Sequence, residues 1–172
     1  QRVLMLGSLK EYKGTREFIT LASRLNSFQF ELVINDSKEN IDKYLKEKKI
    51  TLTENISIYP RQEDVAPFYN RASLVLNLSN RKLFVETFGL TALEAMTAGL
   101  PTIVPTVGGI AEMVTDGENG FRIDSQDCEK LQQYIEKILR NKFFFVNLSK
   151  NALAKSRLYD AEHMVNNIAN IL

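Results

Sequence analysis

Six short apolar runs alternate with amphipathic stretches along the chain, and this alternation limits the fold more than any other feature. Each run has the length of a strand, and the runs are Arg2–Leu6, Phe28–Ile34, Asn55–Tyr59, Ser73–Leu78, Pro101–Val104 and Gly120–Ile123. Apolar strands that alternate with helices are typical of parallel sheets covered on both faces. The pattern therefore predicts an α/β, Rossmann-like three-layer domain with a six-stranded parallel sheet.

The segments between these runs carry apolar residues at helical spacing. In Thr15–Leu25, for example, Phe18 and Leu21 fall on one face with Ala22 and Leu25. The other predicted helices are Glu39–Lys49, Glu63–Ala72, Phe88–Ala98, Gly108–Val114, Asp127–Leu139, Phe143–Ser156 and Ala161–Ile171. A chain of 172 residues has the size of one domain, so we assign all of it to one domain that ends in helices from about residue 127.

Composition excludes several classes of function. The formal net charge is +1, which gives no overall field for nucleic acid. One cysteine, Cys128, and one histidine, His163, are too few for a His/Cys zinc site or a Cys–His nucleophile. There is no signal peptide and no apolar run of spanning length, so we expect a cytoplasmic protein. Because the chain begins with Gln1 rather than Met, we expect it to be part of a longer protein.

The segment Val85–Ala98 (VETFGLTALEAMTA) places two carboxylates around a helix start. The free amides near Gly89 form a site suited to phosphate, and Glu94 leans back toward that site from inside the helix. A ribose on a nucleoside diphosphate would offer its hydroxyls to Glu94, while Glu86 lies on the side of the distal phosphate. The alternative from the residues is that both glutamates are solvated carboxylates favoured by the helix dipole.

The stretch Val85–Ile123, VETFGLTALEAMTAGLPTIVPTVGGIAEMVTDGENGFRI, resembles the core of the retaining, GT-B-fold glycosyltransferases often called group 1. These are two-domain enzymes with a cleft between the domains. Their signature of a glutamate, seven residues and a second glutamate corresponds to Glu86 and Glu94. The motifs G-L-P, V-G-G-I-A-E and D-G-E-N-G-F also match. The resemblance extends from Val3 to the last helix and corresponds to the C-terminal, donor-binding half.

The resemblance implies a role for each residue of this segment. Glu86 would be the catalytic residue that contacts the transferred sugar, and Glu94 would bind the ribose. The amides of Gly89 and Leu90 would hold the diphosphate, and Phe88 is assigned to the same donor-binding group.

Three further implications concern charge, the base and metals. Lys13, in the K-G after the first strand, would face the diphosphate as a cation. The backbone near Tyr59–Arg61 would line the base pocket, with Arg61 as a possible site residue. No cofactor and no metal would be needed, because lysine and helix amides take the place of the metal.

The chain departs from the family pattern at three places. The family has Gly-Arg at the end of the first strand, where the arginine holds phosphate, but this chain has Gly7-Ser8. The lost charge would be replaced from Lys10, or from Arg81 and Lys82 in a long basic stretch, with Ser8 itself as a possible contact. The glycine-rich turn after the second strand is replaced by 35–37, Asn-Asp-Ser.

Together these residues predict transfer of a hexose from a nucleoside-diphosphate sugar to an acceptor hydroxyl, with retained configuration. The acceptor would be a glycan, a polysaccharide or a lipid-linked sugar, as in polysaccharide biosynthesis. The N-terminal acceptor domain would be a partner absent from this chain, and the chain by itself would be inactive. The run Phe143–Phe145 among basic residues leaves open a location at the inner face of the membrane.

Two alternatives remain at the level of sequence. A donor-type domain without the phosphate arginine would also fit a catalytically weak or inactive nucleotide-binding module that docks onto another transferase. Sugar-nucleotide epimerases share the architecture, although their motif context differs from the E-T-F-G-L run. The glycine pair Gly108-Gly109 is equally compatible with phosphate binding and with a tight turn.

Overall fold

The computed structural model describes residues 1–159, which form one six-stranded sheet. The strands are β1 (Arg2–Gly7), β2 (Gln29–Ile34), β3 (Ile56–Tyr59), β4 (Leu74–Leu76), β5 (Thr102–Val104) and β6 (Gly120–Arg122). Their order is β3-β2-β1-β4-β5-β6, and all the pairs are parallel. The predicted parallel sheet is confirmed. The strand order reverses between β1 and β4, which opens a crevice at their carboxyl ends.

Helices follow the strands and cover both faces of the sheet. They are α1 (Thr15–Arg24), α2 (Lys38–Glu47), α3 (Ala66–Arg71), α4 (Leu90–Thr97), α5 (Gly109–Glu112), α6 (Cys128–Arg140) and α7 (Lys142–Ser156), with short 3-10 turns at Glu11–Lys13 and Arg157–Tyr159. The predicted helix Ala161–Ile171 and the histidine His163 lie outside the described residues. None of the helices within residues 1–159 has the length and apolar character needed to cross a membrane.

Two predicted helices begin at least two residues later than the sequence indicated. The segment from Glu63 becomes helical only at Ala66, where the Asp64 side chain accepts a hydrogen bond from the Ala66 N–H and Pro67 occupies the first turn. The helix expected from Phe88 begins at Leu90, with Gly89 as its N-cap. Phe88 therefore belongs to the loop before α4 rather than to the helix.

The core lies on both sides of the sheet, and β2 shows how one strand serves both. Phe30 and Leu32 pack in the larger cluster, which contains Phe18 of α1. Val33, on the opposite face, packs in the cluster that contains Phe68 of α3. Successive strand residues point to opposite faces, so a strand buried on both sides reads as a continuous apolar run. This is why the strands were visible in the sequence.

Candidate functional site

A cleft of about 790 Å³ opens at the carboxyl ends of the central strands. It is built from the ends of β1, β2 and β4 and from the start of α4. Its lining includes Gly7, Ser8, Lys10, Tyr12, Lys13, Asn35, Asp36, Asn77, Ser79, Glu86, Phe88, Gly89, Leu90 and Thr91. The cleft therefore occupies the position at which the strand order reverses, where ligands bind in open α/β sheets.

The cleft contains an ion pair between Lys13 and Glu86. The Lys13 ammonium donates to Glu86 Oε2 at 2.6 Å, and the side chains are 25% and 13% exposed. The Ser79 hydroxyl donates to the same oxygen at 3.4 Å. A charge-assisted hydrogen bond at partial burial is stronger than an exposed surface pair. The residue that was expected to face the diphosphate, Lys13, and the one that was expected to contact the sugar, Glu86, are therefore in direct contact.

Backbone contacts bring Lys13 to the end of β4. Gly14 has a φ of 77°, and a Cβ at this position would overlap the carbonyl oxygen of Leu78. The Asn80 N–H donates to the Tyr12 carbonyl oxygen at 2.8 Å. Because Gly14 has no side chain, the loop after β1 can lie directly against the loop after β4.

An aromatic pair supports the ammonium group from outside the ion pair. The rings of Tyr12 and Phe84 stack with centroids 4.7 Å apart. The Lys13 Nζ lies 5.0 Å from the Phe84 centroid and 5.6 Å from the Tyr12 centroid, and the Lys10 Nζ lies 5.9 Å from Tyr12. Cations are attracted to ring faces at these distances. The stack therefore concentrates positive charge at one wall of the cleft, and sequence reasoning did not identify it.

The start of α4 also lines the cleft. Within residues 1–159, no group accepts a hydrogen bond from the N–H of Gly89 or of Thr91. The N–H of Leu90, which was expected to contact the ligand, instead donates to the Phe88 carbonyl oxygen at 3.2 Å. Free amides at a helix start bind anions. The amides that can receive an anion here are therefore those of Gly89 and Thr91.

The glycine pair Gly108-Gly109 packs against the backbone of the loop that precedes α4. A Cβ at Gly108, whose φ is 93°, would overlap the Glu86 carbonyl oxygen, and a Cβ at Gly109 would overlap the Thr87 carbonyl oxygen. A Cβ at Gly89 would in turn overlap the Ile110 side chain. The pair lies behind the cleft lining, so the tight-turn interpretation fits the structure better than direct phosphate binding.

Glu94 lies on α4 one turn beyond Thr91, where it is exposed and is not among the residues that line the cleft. Its Oε2 accepts a hydrogen bond from the Tyr69 hydroxyl at 2.7 Å. Tyr69 is only 5% exposed, and burial together with the Glu94 carboxylate raises the pKa of the Tyr69 hydroxyl far above its usual range. The tyrosine is therefore a permanent donor to Glu94, and nothing in the sequence pattern pointed to this contact.

The residues considered as replacements for the missing arginine fall in different places. Ser8 and Lys10 both line the cleft. Arg81 forms an ion pair with Asp124 at 2.8 Å, and it lies outside the cleft lining, as does Lys82. Of the three cations considered, Lys10 is the one that the fold brings into the cleft.

The end of β2 also lines the cleft, whereas residues 59–61, whose backbone was expected to line the base pocket, lie outside the cleft lining. Asn35 and Asp36 line it, and Arg61 donates to the Asn35 side-chain oxygen at 2.7 Å from just outside. The Asn40 amide and the Ser37 N–H hold the pKa of Asp36 below its usual range. Within residues 1–159 no three His, Cys, Asp or Glu side chains are grouped closely enough to share a metal ion.

A parallel sheet of this strand order, with free amides at the start of the helix beside its switch point, defines a domain of the Rossmann type. A family model described as "Glycosyl transferases group 1" matches residues 1–155. The chain therefore belongs to the group 1 glycosyltransferases, as the resemblance of Val85–Ile123 predicted.

Known proteins of similar sequence or structure are glycosyltransferases. A D-inositol 3-phosphate glycosyltransferase of Nocardioides is 33% identical over 102 residues, which are 59% of this chain and 21% of that protein. HepE of Anabaena, in complex with UDP and glucose, has a TM-score of 0.84 at 23% identity, covering 99% of this chain and 47% of HepE.

A third comparison is with an isolated domain. The C-terminal domain of LpcC, a group 1 family protein of Francisella tularensis, has a TM-score of 0.76 at 21% identity, covering 93% of this chain and 86% of that domain. The chain thus spans about a fifth of the first relative and about half of HepE. At these identities the structural matches establish the shared GT-B-type fold.

Proposed function

We propose that this chain is the donor-binding half of a retaining glycosyltransferase that moves a hexose from a nucleoside-diphosphate sugar to an acceptor hydroxyl. The observation that carries the proposal is the Lys13–Glu86 ion pair, which lines the same cleft as the free amides at the start of α4. A cation and free helix amides in one cleft can bind a diphosphate together. The carboxylate beside the cation is then available to the sugar.

When the diphosphate binds, one of its phosphate oxygens would replace the Glu86 carboxylate as the partner of the Lys13 ammonium. The ammonium that pairs with Glu86 is partly exposed, so a phosphate oxygen can approach it from the cleft. The N–H groups of Gly89 and Thr91 would contact the same phosphates. As the bond to the sugar breaks, these fixed donors stabilise the charge that develops on the leaving group. We propose that they do so without a metal ion or another cofactor.

The two glutamates would divide the donor between them. Glu86 lies inside the cleft and, once Lys13 turns to the phosphates, its carboxylate can accept hydrogen bonds from the transferred sugar. Glu94 lies on α4, one turn beyond Thr91, and would accept hydrogen bonds from the ribose hydroxyls. The residues are eight positions apart in sequence, which leaves room for the phosphates at the helix start between them.

The donor that we propose to test first is UDP-glucose. HepE of Anabaena binds UDP and UDP-glucose. In this chain the base would lie near the end of β2, where Asn35, Asp36 and Arg61 present both hydrogen-bond donors and acceptors.

A second domain would complete the site. Apolar side chains around the mouth of the cleft remain exposed, and these include Leu83 (61%), Val85 (48%), Phe88 (48%) and Leu90 (60%). Exposed apolar patches of this kind mark surfaces that meet other protein or ligand. We propose that an acceptor-binding domain faces this rim and presents the hydroxyl of a glycan or a lipid-linked sugar.

Calorimetric titration with UDP tests the proposal. We expect the chain to bind UDP and expect Lys13→Gln to weaken binding by about tenfold, because a charge-assisted contact contributes roughly 1.5–3 kcal/mol. The matched control is Lys150→Gln, which removes an exposed lysine of α7 far along the chain and should leave affinity unchanged.

Two results would contradict the proposal. One is a crystal of the chain with UDP in which the diphosphate lies away from Lys13 and α4. The other is an absence of binding to UDP, ADP and GDP alike, which would favour the alternative of a partner module without nucleotide.

A further inference from the structure

Tyr69 connects the packed interior of the domain to the carboxylate of Glu94. Its ring lies on α3 in the buried cluster that contains Ala95 and Leu100, whereas its hydroxyl reaches the surface of α4. The hydroxyl lies 2.7 Å from Glu94 Oε2 and 3.4 Å from the Thr91 carbonyl oxygen. The short contact is therefore with the carboxylate, and the longer one is with the first turn of the same helix.

Counting protons fixes the direction of this hydrogen bond. An ionised carboxylate only accepts, so the single proton of the Tyr69 hydroxyl goes to Glu94 Oε2. In the part of the chain that the structure describes, no cation lies within ion-pair distance of Glu94 and no group donates to Oε1. The carboxylate is thus held at one oxygen and keeps the other available.

We propose that Tyr69 is a positioning residue that holds Glu94 in the orientation in which its second oxygen faces the ribose of the donor. This inference rests on the proposed function, since it requires Glu94 to contact the ribose. Tyr69 itself touches neither the nucleotide nor the reacting atoms. It acts by fixing one oxygen of the group that does.

The need for such a residue follows from the exposure of Glu94. An exposed glutamate samples many rotamers, and fixing it on binding costs conformational entropy. The Tyr69 ring is immobilised by the cluster around Ala95 and Leu100, so its hydroxyl offers a fixed point. Fixing the carboxylate in advance transfers that entropic cost from binding to folding. The effect should be confined to ligands that carry the ribose hydroxyls.

The test compares three probes on Tyr69→Phe, which keeps the ring and removes only the hydroxyl. The probes are UDP, its 2′,3′-dideoxy analogue and inorganic pyrophosphate. We expect the variant to bind UDP about three- to tenfold more weakly, the loss of one indirect hydrogen bond, while affinities for the other two probes stay unchanged. Tyr134→Phe, on α6, is the matched control that removes a tyrosine hydroxyl elsewhere and should change none of the three.

A double-mutant cycle separates positioning from simple packing. If Tyr69 acts through Glu94, adding Tyr69→Phe to Glu94→Ala should cause no further loss of UDP affinity. Glu94→Asp shortens the acid beyond the reach of Tyr69 and should lower the preference for UDP over the dideoxy analogue. Adding Tyr69→Phe to Glu94→Asp should lower that preference no further.

The outcomes distinguish this inference from the function on which it rests. Wild-type protein that fails to bind UDP, or that binds UDP and the dideoxy analogue equally, would refute the ribose contact of Glu94 itself. A selectivity that Glu94→Ala abolishes but Tyr69→Phe leaves intact would overturn only the role of Tyr69. Equal weakening of all three probes by Tyr69→Phe would also overturn it, because that would indicate a structural effect on the whole cleft.

Discussion

Glu86 and Glu94 have different partners in the folded chain, and this difference predicts different mutant phenotypes. Glu94→Ala should lower the affinity for UDP and for UDP-glucose alike by at least about tenfold. Each charge-assisted hydrogen bond lost to the ribose contributes roughly 1.5–3 kcal/mol. Glu86→Ala should lower the affinity for UDP-glucose only. Its effect on bare UDP should be neutral or favourable, because it releases the Lys13 ammonium from its ion pair for the phosphates.

Calorimetry of both variants with UDP and with UDP-glucose measures this division. Glu112→Ala, which removes an exposed carboxylate of α5, is the control for a general effect of lost negative charge. If Glu86→Ala and Glu94→Ala lowered the affinity for UDP equally, the two glutamates would not have separate roles.

Sequence reasoning at the residue scale identified groups that line the cleft better than the groups that contact them from the interior. Lys13 and Glu86 were both predicted, because each lies in a recognisable segment beside the carboxyl end of a strand. Tyr69 was missed, since its contact with Glu94 depends on how α3 packs against α4, 25 residues further along the chain. Arg81 was considered as a phosphate ligand, but a contact with Asp124, 43 residues away, engages it instead.

At the scale of elements, the Gly108-Gly109 turn and the Glu86 loop form one packed unit. Gly108 and Gly117 both have positive φ, but a Cβ at Gly108 would overlap the Glu86 carbonyl oxygen, whereas a Cβ at Gly117 would meet open space. Gly117→Ala should therefore lower the free energy of unfolding by about 1–2 kcal/mol for the left-handed backbone alone. Gly108→Ala should cost about 1–3 kcal/mol more, because the Glu86 backbone must move.

Urea denaturation of the two alanine variants measures this difference, and UDP-glucose binding measures its functional consequence. We expect Gly108→Ala to lower the affinity for UDP-glucose more than that for UDP, because the displaced residue, Glu86, is the one assigned to the sugar. If the two variants were equally stable and bound UDP-glucose equally well, the contact between the glycine turn and Glu86 would have no role in placing the loop.

The type of each secondary-structure element could be predicted from the sequence, but the residues at which helices begin could not. Buried strands and amphipathic helices have strong periodic signals, so each strand was located from sequence. The start of α4 was expected at Phe88 and lies at Leu90 because tertiary packing decides it. Gly89 packs directly against Ile110, and the loop from Glu86 to Phe88 lies over the glycine turn. A contact with residues about 20 positions away leaves no local trace in the sequence.

For the whole molecule, the class of fold determined where the site had to be. A parallel α/β sheet binds ligands beyond the carboxyl ends of its strands, and the cleft lies there between β1 and β4. What the sequence pattern could not supply was the strand order, which depends on connections between residues far apart. The order β3-β2-β1-β4-β5-β6 is what brings Lys13, after β1, against Glu86, after β4.

The extent of the chain predicts that its binding and its chemistry can be separated. The chain covers about half of HepE, and the apolar rim around Leu83 and Leu90 is exposed. Sugar transfer requires the acceptor oxygen to be held beside the anomeric carbon, and such positioning supplies a large part of an enzyme's rate enhancement. We therefore expect the 172-residue chain to bind UDP-glucose and yet show no transferase turnover.

The measurement pairs calorimetry with a coupled assay for UDP release in the same buffer, with a mixture of glycans as acceptors. At donor concentrations that saturate the cleft, release should stay at the rate of the protein-free control, against turnover numbers of about 1–10³ per second for typical enzymes. Lys13→Gln, which should not be saturated at the same concentration, reports any release that arises outside the cleft. Robust glucose transfer by this chain would show that the residues named here form a complete active site, and the proposed requirement for a second domain would then be wrong.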